Sequence, residues 1–236
     1  MKYLFFFITC IILMPSSGAQ ENQRSVLNDS VIDNKYREDQ FYISATYNLL
    51  GRKPSGMSQS GFSSGFHLGF IRDMPLNKRR NLAFGLGVGL STNSYNQNIQ
   101  IQESGEMVTY EIIDSDVTFS KNKFTTYLLE VPFELRWRTS TAQAYDFWRI
   151  YAGIKLGYLV YNSSKYRGLP NDIQVSNIDD FNRLQYGLTF SAGYSNVSVH
   201  LYYALNPIFK SDTRLSDTGE SLEMNAVKIG LIFYIL

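Results

Sequence analysis

The sequence predicts an all-β fold: an eight-stranded, antiparallel, up-and-down transmembrane β-barrel with short periplasmic turns and longer extracellular loops. Three observations predict it. The first is strict alternation over residues 124–161. Tyr127, Leu129, Val131, Phe133, Leu135 and Trp137 share one parity, and Glu130, Pro132, Glu134, Arg136 and Arg138 share the other. A second arm repeats this with Ile150, Ala152, Ile154, Leu156, Tyr158 and Val160 against Arg149, Tyr151, Gly153, Lys155 and Gly157. Successive Cβ atoms on a strand point to opposite faces, so a period of two gives each arm one greasy and one charged face. Both arms reach the roughly 9–11 residues that a tilted strand needs to cross a bilayer.

The second observation is glycine placement. Gly65, Gly69, Gly85, Gly87, Gly89, Gly153, Gly157, Gly187, Gly193 and Gly230 all fall on the polar parity. A soluble lipocalin-like barrel or sandwich would turn that face to solvent, where strand glycines have no purpose. The narrow interior of an eight-stranded barrel instead calls for small residues among charged ones. The third is a double aromatic belt. Trp137 and Trp148 fall at the predicted periplasmic rim, and Tyr47, Tyr127, Tyr158 and Tyr203 toward the other, as at the two interfaces of an outer-membrane barrel.

Taken in order, the chain opens with Lys2, an apolar run over 3–14 and small residues over 15–19, which predicts a cleaved signal peptide over 1–19. The only cysteine, Cys10, lies inside it. The mature chain is therefore expected to have no disulfide, thiolate metal site or cysteine nucleophile. Residues 20–40 are polar and mixed in charge and read as a periplasmic tail. The barrel is expected over 41–236.

Its strands are expected over 41–49, 62–71, 82–90, 124–138, 148–161, 184–194, 197–205 and 227–236. The connector 91–122 carries its own alternation, Ile99 and Ile101, then Val108, Tyr110 and Ile112, around a turn at 103–106. This predicts a hairpin standing beyond the membrane on upward extensions of the third and fourth strands. Residues 162–180 and 210–221 read as polar loops. The two residues Ser195 and Asn196 between strands six and seven predict a turn that pairs Tyr194 with Val197 and keeps both on the apolar face.

The 22 Lys and Arg against 21 Asp and Glu leave a formal charge of +1, which argues against a nucleic-acid binder. Glu130, Glu134, Arg136, Arg149, Lys155 and Lys228, with the only histidines His67 and His200, carry the inward parity. Antiparallel pairing brings Glu130 near Lys155. Isolated buried ions are costly, so these residues are expected to form a salt-bridged plug. A proton relay or a carboxylate/His pair is the sharper alternative. No spacing of His, Asp and Glu suggests a metal, no Gly-rich loop suggests a phosphate cofactor, and no Gly-x-Ser-x-Gly elbow suggests a hydrolase.

Three features are candidate partner contacts. Pro132 cannot donate to a ladder and predicts a bulge or bend, or a docking notch. Lys78, Arg79 and Arg80 form a basic periplasmic turn. The stripe of Ile99, Ile101, Val108, Tyr110 and Ile112 is expected either to pack on neighbouring loops or to meet a partner.

The segment Leu129-Glu130-Val131-Pro132-Phe133-Glu134-Leu135, the strand Ile154-Lys155-Leu156-Gly157-Tyr158 and the glycine-rich hairpins resemble the PorT-family outer-membrane β-barrels of Bacteroidota, from about residue 41 to the C-terminus. The family's founding member is associated with type IX secretion. The resemblance implies an integral outer-membrane protein and makes secretion or outer-membrane biogenesis its setting. With no catalytic or cofactor motif in the chain, the expected role is a non-enzymatic accessory or structural subunit of such a machine, without cofactor. Its expected neighbours are outer-membrane lipid and envelope proteins, in an oligomeric state that the sequence does not set. The other classes open at this point are a surface binder acting through its loops, an adhesin or receptor, and a lipid-modifying enzyme.

Overall fold

The computed structural model describes residues 39–105, 107–114, 116–139 and 147–235. The expected signal peptide over 1–19 and all but the last two residues of the expected tail lie outside the described residues. The elements in order are β1 (Gln40–Gly51), β2 (Ser64–Pro75), β3 (Leu82–Asn96), β4 (Ile99–Ser104), β5 (Met107–Ile112), β6 (Phe119–Arg138), β7 (Trp148–Gly168), β8 (Ile173–Ser176), β9 (Leu184–Tyr194), β10 (Val197–Ala204) and β11 (Asn225–Ile235).

Eight of them close an antiparallel barrel in which each strand pairs with its neighbours in the chain. The order runs β6, β3, β2, β1, β11, β10, β9, β7, and β7 returns to β6. The ring shuts at Phe41↔Ile235 through Gly51↔Asn225. The outward parity is the apolar one: Phe41, Leu68, Val88, Leu135, Ile154, Leu188, Val199 and Leu231 are exposed. Exposed greasy side chains around a closed wall are what lipid requires, because a barrel satisfies every backbone polar group internally and shows the bilayer only its outward residues.

Glycine sits where the interior is crowded. Gly69 faces Tyr42 on β1 and Gly89 on β3, and the Tyr42 ring lies over this pair. A Cβ at Gly69 would fall 2.7 Å from that ring and 2.6 Å from the carbonyl oxygen of Val88. The turn of Ser195 and Asn196 pairs Tyr194 with Val197, in the expected register, and Ser195 takes the positive φ of 53° that a primed hairpin turn demands.

Connections at the two ends differ in size. Short turns join β2 to β3 and β9 to β10, while the opposite end carries residues 52–63, 97–118, 169–183 and 205–224. On that side β6 and β7 run to 20 and 21 residues and rise well beyond the span of a bilayer. The β4–β5 hairpin stands on the extensions of β3 and β6, with Ile99↔Ile112 and Ile101↔Tyr110 in register.

Three local readings change. Pro132 is not at a bulge: β3 and β6 keep one register from Leu82↔Trp137 to Asn96↔Lys123, and only the rungs beside Pro132 are missing. The missing N–H interrupts the ladder without shifting it. The β6–β7 ladder shifts register instead at two places, between Phe119 and Lys121 and between Tyr127 and Leu128. At the second, opposite Val160, Val160 and Tyr161 both face outward and Asn162 turns in. The stretch 162–180 is not all loop, since β7 continues to Gly168 and β8 pairs back on it from Ser163↔Ser176 to Tyr166↔Ile173. Nor is 210–221 a bare polar loop, because an Arg214↔Ser221 bridge braces it around buried Leu215.

Candidate functional site

The inward parity fills the barrel in three levels. At the middle level Glu130 gathers its neighbours: Oε1 accepts from Ser91 Oγ at 2.8 Å, Oε2 lies 3.2 Å from Lys155 Nζ, and His67 Nδ1 stands 3.2 Å from both oxygens. The far nitrogen of His67 lies 3.4 Å from Thr46 Oγ1. Lys228 Nζ rests 4.8 Å above the Tyr202 ring, and His200 Nδ1 is 2.8 Å from Ser191 Oγ. Glu130, Lys155, Lys228, His67 and His200 are all buried. Their burial is tolerable because the carboxylate meets cation and hydroxyl together, which an isolated charge would not.

At the short-turn level Asp73 joins two guanidinium groups. Its oxygens accept from Arg136 Nη1 at 3.1 Å and from Arg138 Nη1 and Nη2 at 2.8 and 2.7 Å, a bidentate fork. Arg136 also donates to Gln40, lies 3.7 Å from Glu134 through Nε and stacks 4.2 Å over the Tyr151 ring. Arg149 stacks over Phe147 at 4.6 Å and Tyr234 at 5.1 Å. Sequence reasoning placed Glu134, Arg136 and Arg149 in the lumen but left out Arg138, which shares their parity, and missed Asp73. Continuing the parity of His67 and Gly69 through Ile71 would have found it.

The long-loop level is a hydrophobic cap. Tyr95 and Phe124 stack at 4.9 Å, and Phe124 meets Phe181 and Phe209, each at 5.6 Å. Met57, Ile99, Ile101, Ile178, Leu215, Leu222 and Met224 join them from four connections. Hydrogen bonds knit the same segments. Tyr110 Oη donates to Asp180 at 2.8 Å, Ser216 N to the Tyr110 carbonyl at 2.8 Å, and Asn98 N to the Ser58 carbonyl at 3.2 Å. Burial, and then the Asp180 carboxylate, raise the Tyr110 hydroxyl above the ordinary tyrosine pKa.

These levels relocate two candidate partner contacts. Ile99, Ile101 and Tyr110 are buried at 2, 1 and 2% exposure, and Val108 and Ile112 pack against the same core. Of the two fates expected for that stripe, loop packing consumes it. Apolar loops tethered on one rim meet each other before they meet another molecule. Pro132 is buried on the lumen side next to Gly87 and offers no notch to a partner. In the basic turn Lys78 and Arg79 are exposed; Arg80 is half-buried, and its carbonyl accepts from Arg138 Nε at 3.1 Å.

The aromatics expected at the two belts are on the outer wall. Trp137 and Trp148 are exposed at one rim, and Tyr47, Tyr127, Tyr158 and Tyr203 are exposed toward the other. Among the described residues no three side chains of His, Cys, Asp or Glu converge as a metal ion would need. The Ser191 and His200 contact has the atoms of a nucleophile and base, but both side chains are 2% exposed inside a filled lumen.

A closed wall, greasy outside and packed with paired charge inside, defines an outer-membrane β-barrel. The chain belongs to the outer membrane protein beta-barrel domain family, whose model matches residues 19–210. Membership places it in the outer membrane. Among solved structures it is similar to Ail, the attachment invasion locus protein of Yersinia pestis, at 13% identity and a TM-score of 0.32, over 84% of this chain and 99% of that one. No curated protein matches.

Proposed function

We propose that this barrel is a non-enzymatic, non-conducting docking subunit of an envelope assembly. One observation supports this above all: the lumen is occupied at every level, by Tyr151, Tyr234 and the arginines, by the Glu130 cluster, and by the aromatic cap. An eight-stranded barrel has room inside for little more than its own side chains. What the molecule offers other molecules is then its outer surfaces: the lipid-facing wall, the basic short-turn end and the outside of a cap stiffened by its own core. The PorT-like segment around Leu129 to Leu135 favours secretion or outer-membrane biogenesis as the setting. The exposed Lys78 and Arg79 suit an acidic periplasmic partner.

The cap favours a second reading, a self-contained surface receptor or adhesin. Rigid loops held above a membrane are a common way of presenting a binding surface. Extraction of the tagged protein in mild detergent, sized by native chromatography and read by mass spectrometry, separates the two. A docking subunit elutes in a large, defined complex, and replacing Lys78 and Arg79 with Gln releases its periplasmic members. A monomer that stays alone across several detergents rejects the subunit reading and leaves the receptor.

A further inference from the structure

The outward face of the β6–β7 ribbon changes character above the tyrosine belt. Tyr127 and Tyr161 face each other with ring centroids 5.6 Å apart. Two rungs beyond them Lys123 faces Lys165, and the next rung on that face sets Lys121 opposite Arg167. All four alternate with the buried Asn122, Phe124, Ser164 and Tyr166, so they point away from the cap. Like charges directly opposite on paired strands repel. Burial, and then the charges of Lys121 and Lys165, lower the pKa of Lys123 from its ordinary value. The carboxylate of Asp172 lies 3.8 Å from Arg167 Nε. Among the described residues no carboxylate comes within salt-bridge distance of Lys121, Lys123 or Lys165.

Height decides what can meet these cations. Lys123 and Lys121 stand four and six residues past Tyr127, about 13 and 20 Å along a strand that rises about 3.3 Å per residue. That is above the acyl region and level with headgroups and their sugars. Below the cations, along the opposite edge of β7 from β6, a cavity of about 290 Å³ opens between Tyr158 and Tyr161 on one wall and Asn177, Asp179 and Arg183 on the other. It is polar and aromatic, it faces outward, and it borders the lipid-facing wall.

We propose that this face binds the phosphorylated sugar headgroup of a glycolipid in the surrounding leaflet, with phosphates on Lys121, Lys123, Lys165 and Arg167 and a sugar ring against Tyr158 and Tyr161. Phosphate relieves the cross-strand repulsion, and lipid is the one neighbour that the adjoining wall must have. The inference is independent of the docking reading and rests only on the long-loop end being the outer one.

Native mass spectrometry of the full mature chain released from detergent micelles tests it, with purified lipid A, the same lipid after dephosphorylation, and soluble polyphosphate as probes. Lipid A is expected to be retained at least about tenfold more tightly than its dephosphorylated form. A variant with Lys121, Lys123, Lys165 and Arg167 all replaced by Gln should lose that preference, while a Lys78→Gln, Arg79→Gln variant keeps it. Equal retention of the two lipids by the unaltered protein overturns the proposal without depending on any variant's folding. Polyphosphate held as tightly as lipid A also overturns it, by assigning the surface to free polyanions.

Discussion

Glu130 Oε2 reaches Lys155 Nζ at 3.2 Å diagonally across the β6–β7 seam: Glu130 stands opposite Gly157, and Lys155 opposite Pro132. The diagonal is open because Gly157 has no side chain to block it and Pro132 has no long one. A charged pair, a glycine and a proline thus form one packing unit, and the same carboxylate serves Ser91 and His67. At this seam the two small residues make room for the charged pair.

Removing one member of that unit should cost far more than removing both. Glu130→Ala strands Lys155 without its carboxylate and is expected to destabilise the barrel by about 3–5 kcal/mol. Combining it with Lys155→Met should recover a substantial part of the loss. Urea unfolding in detergent, followed by tryptophan fluorescence, measures both. Additive losses would show that the two side chains do not act as a pair.

Asp73 is expected to matter as much at the short-turn end. It accepts three hydrogen bonds from Arg136 and Arg138, whereas Glu134 reaches Arg136 only at 3.7 Å. Asp73→Asn should therefore cost several kcal/mol, about 3–5 by the same reasoning, and Glu134→Gln distinctly less. The two unfolding midpoints, compared in one detergent, check the order. The reverse order would mean that the guanidinium groups are held by their aromatic neighbours and not by Asp73.

Phe124 is the hub of the cap, in ring contact with Tyr95, Phe181 and Phe209. Phe124→Ala should loosen the cap by about 3–5 kcal/mol and leave the barrel closed. Limited proteolysis should then cut within 52–63 and 205–224, where the unaltered protein resists, while the unheated protein keeps its folded mobility on gels. Joint loss of cap and barrel would show that the cap is no separate cooperative layer.

The membrane-spanning part was legible in the sequence because lipid enforces a single rule. Each strand must be apolar outward, so parity alone orders Tyr127 to Trp137, Ile150 to Val160 and Val227 to Ile235. The Ser195-Asn196 turn then fixes one register and helps to fix the rest. The charged lumen was legible by the same rule until a strand outran its expected end, which is why Asp73 was read as part of a turn. The inward Asn162 was hidden by the irregularity opposite Val160, which breaks the period of two at the membrane's edge.

The cap was only half legible. The β4–β5 hairpin carried its own alternation, but Ile178, Phe181, Phe209, Leu215, Leu222 and Met224 are scattered through polar stretches without a period. Their burial comes from the meeting of four connections distant in sequence, and no local pattern records that meeting. Pro132 failed as a bulge signal for a related reason. The missing N–H leaves two rungs of the β3–β6 ladder unmade, and the long β6 pairs on both sides of them hold the register regardless.

Single-channel recording in planar bilayers tests the filled lumen most directly. The purified barrel, inserted and oriented, should show no steady conductance step above the bare membrane, because Phe124, Glu130 and Arg136 stand in the path at three successive levels. Discrete openings of uniform size from the unaltered protein would contradict this account and make the barrel a channel.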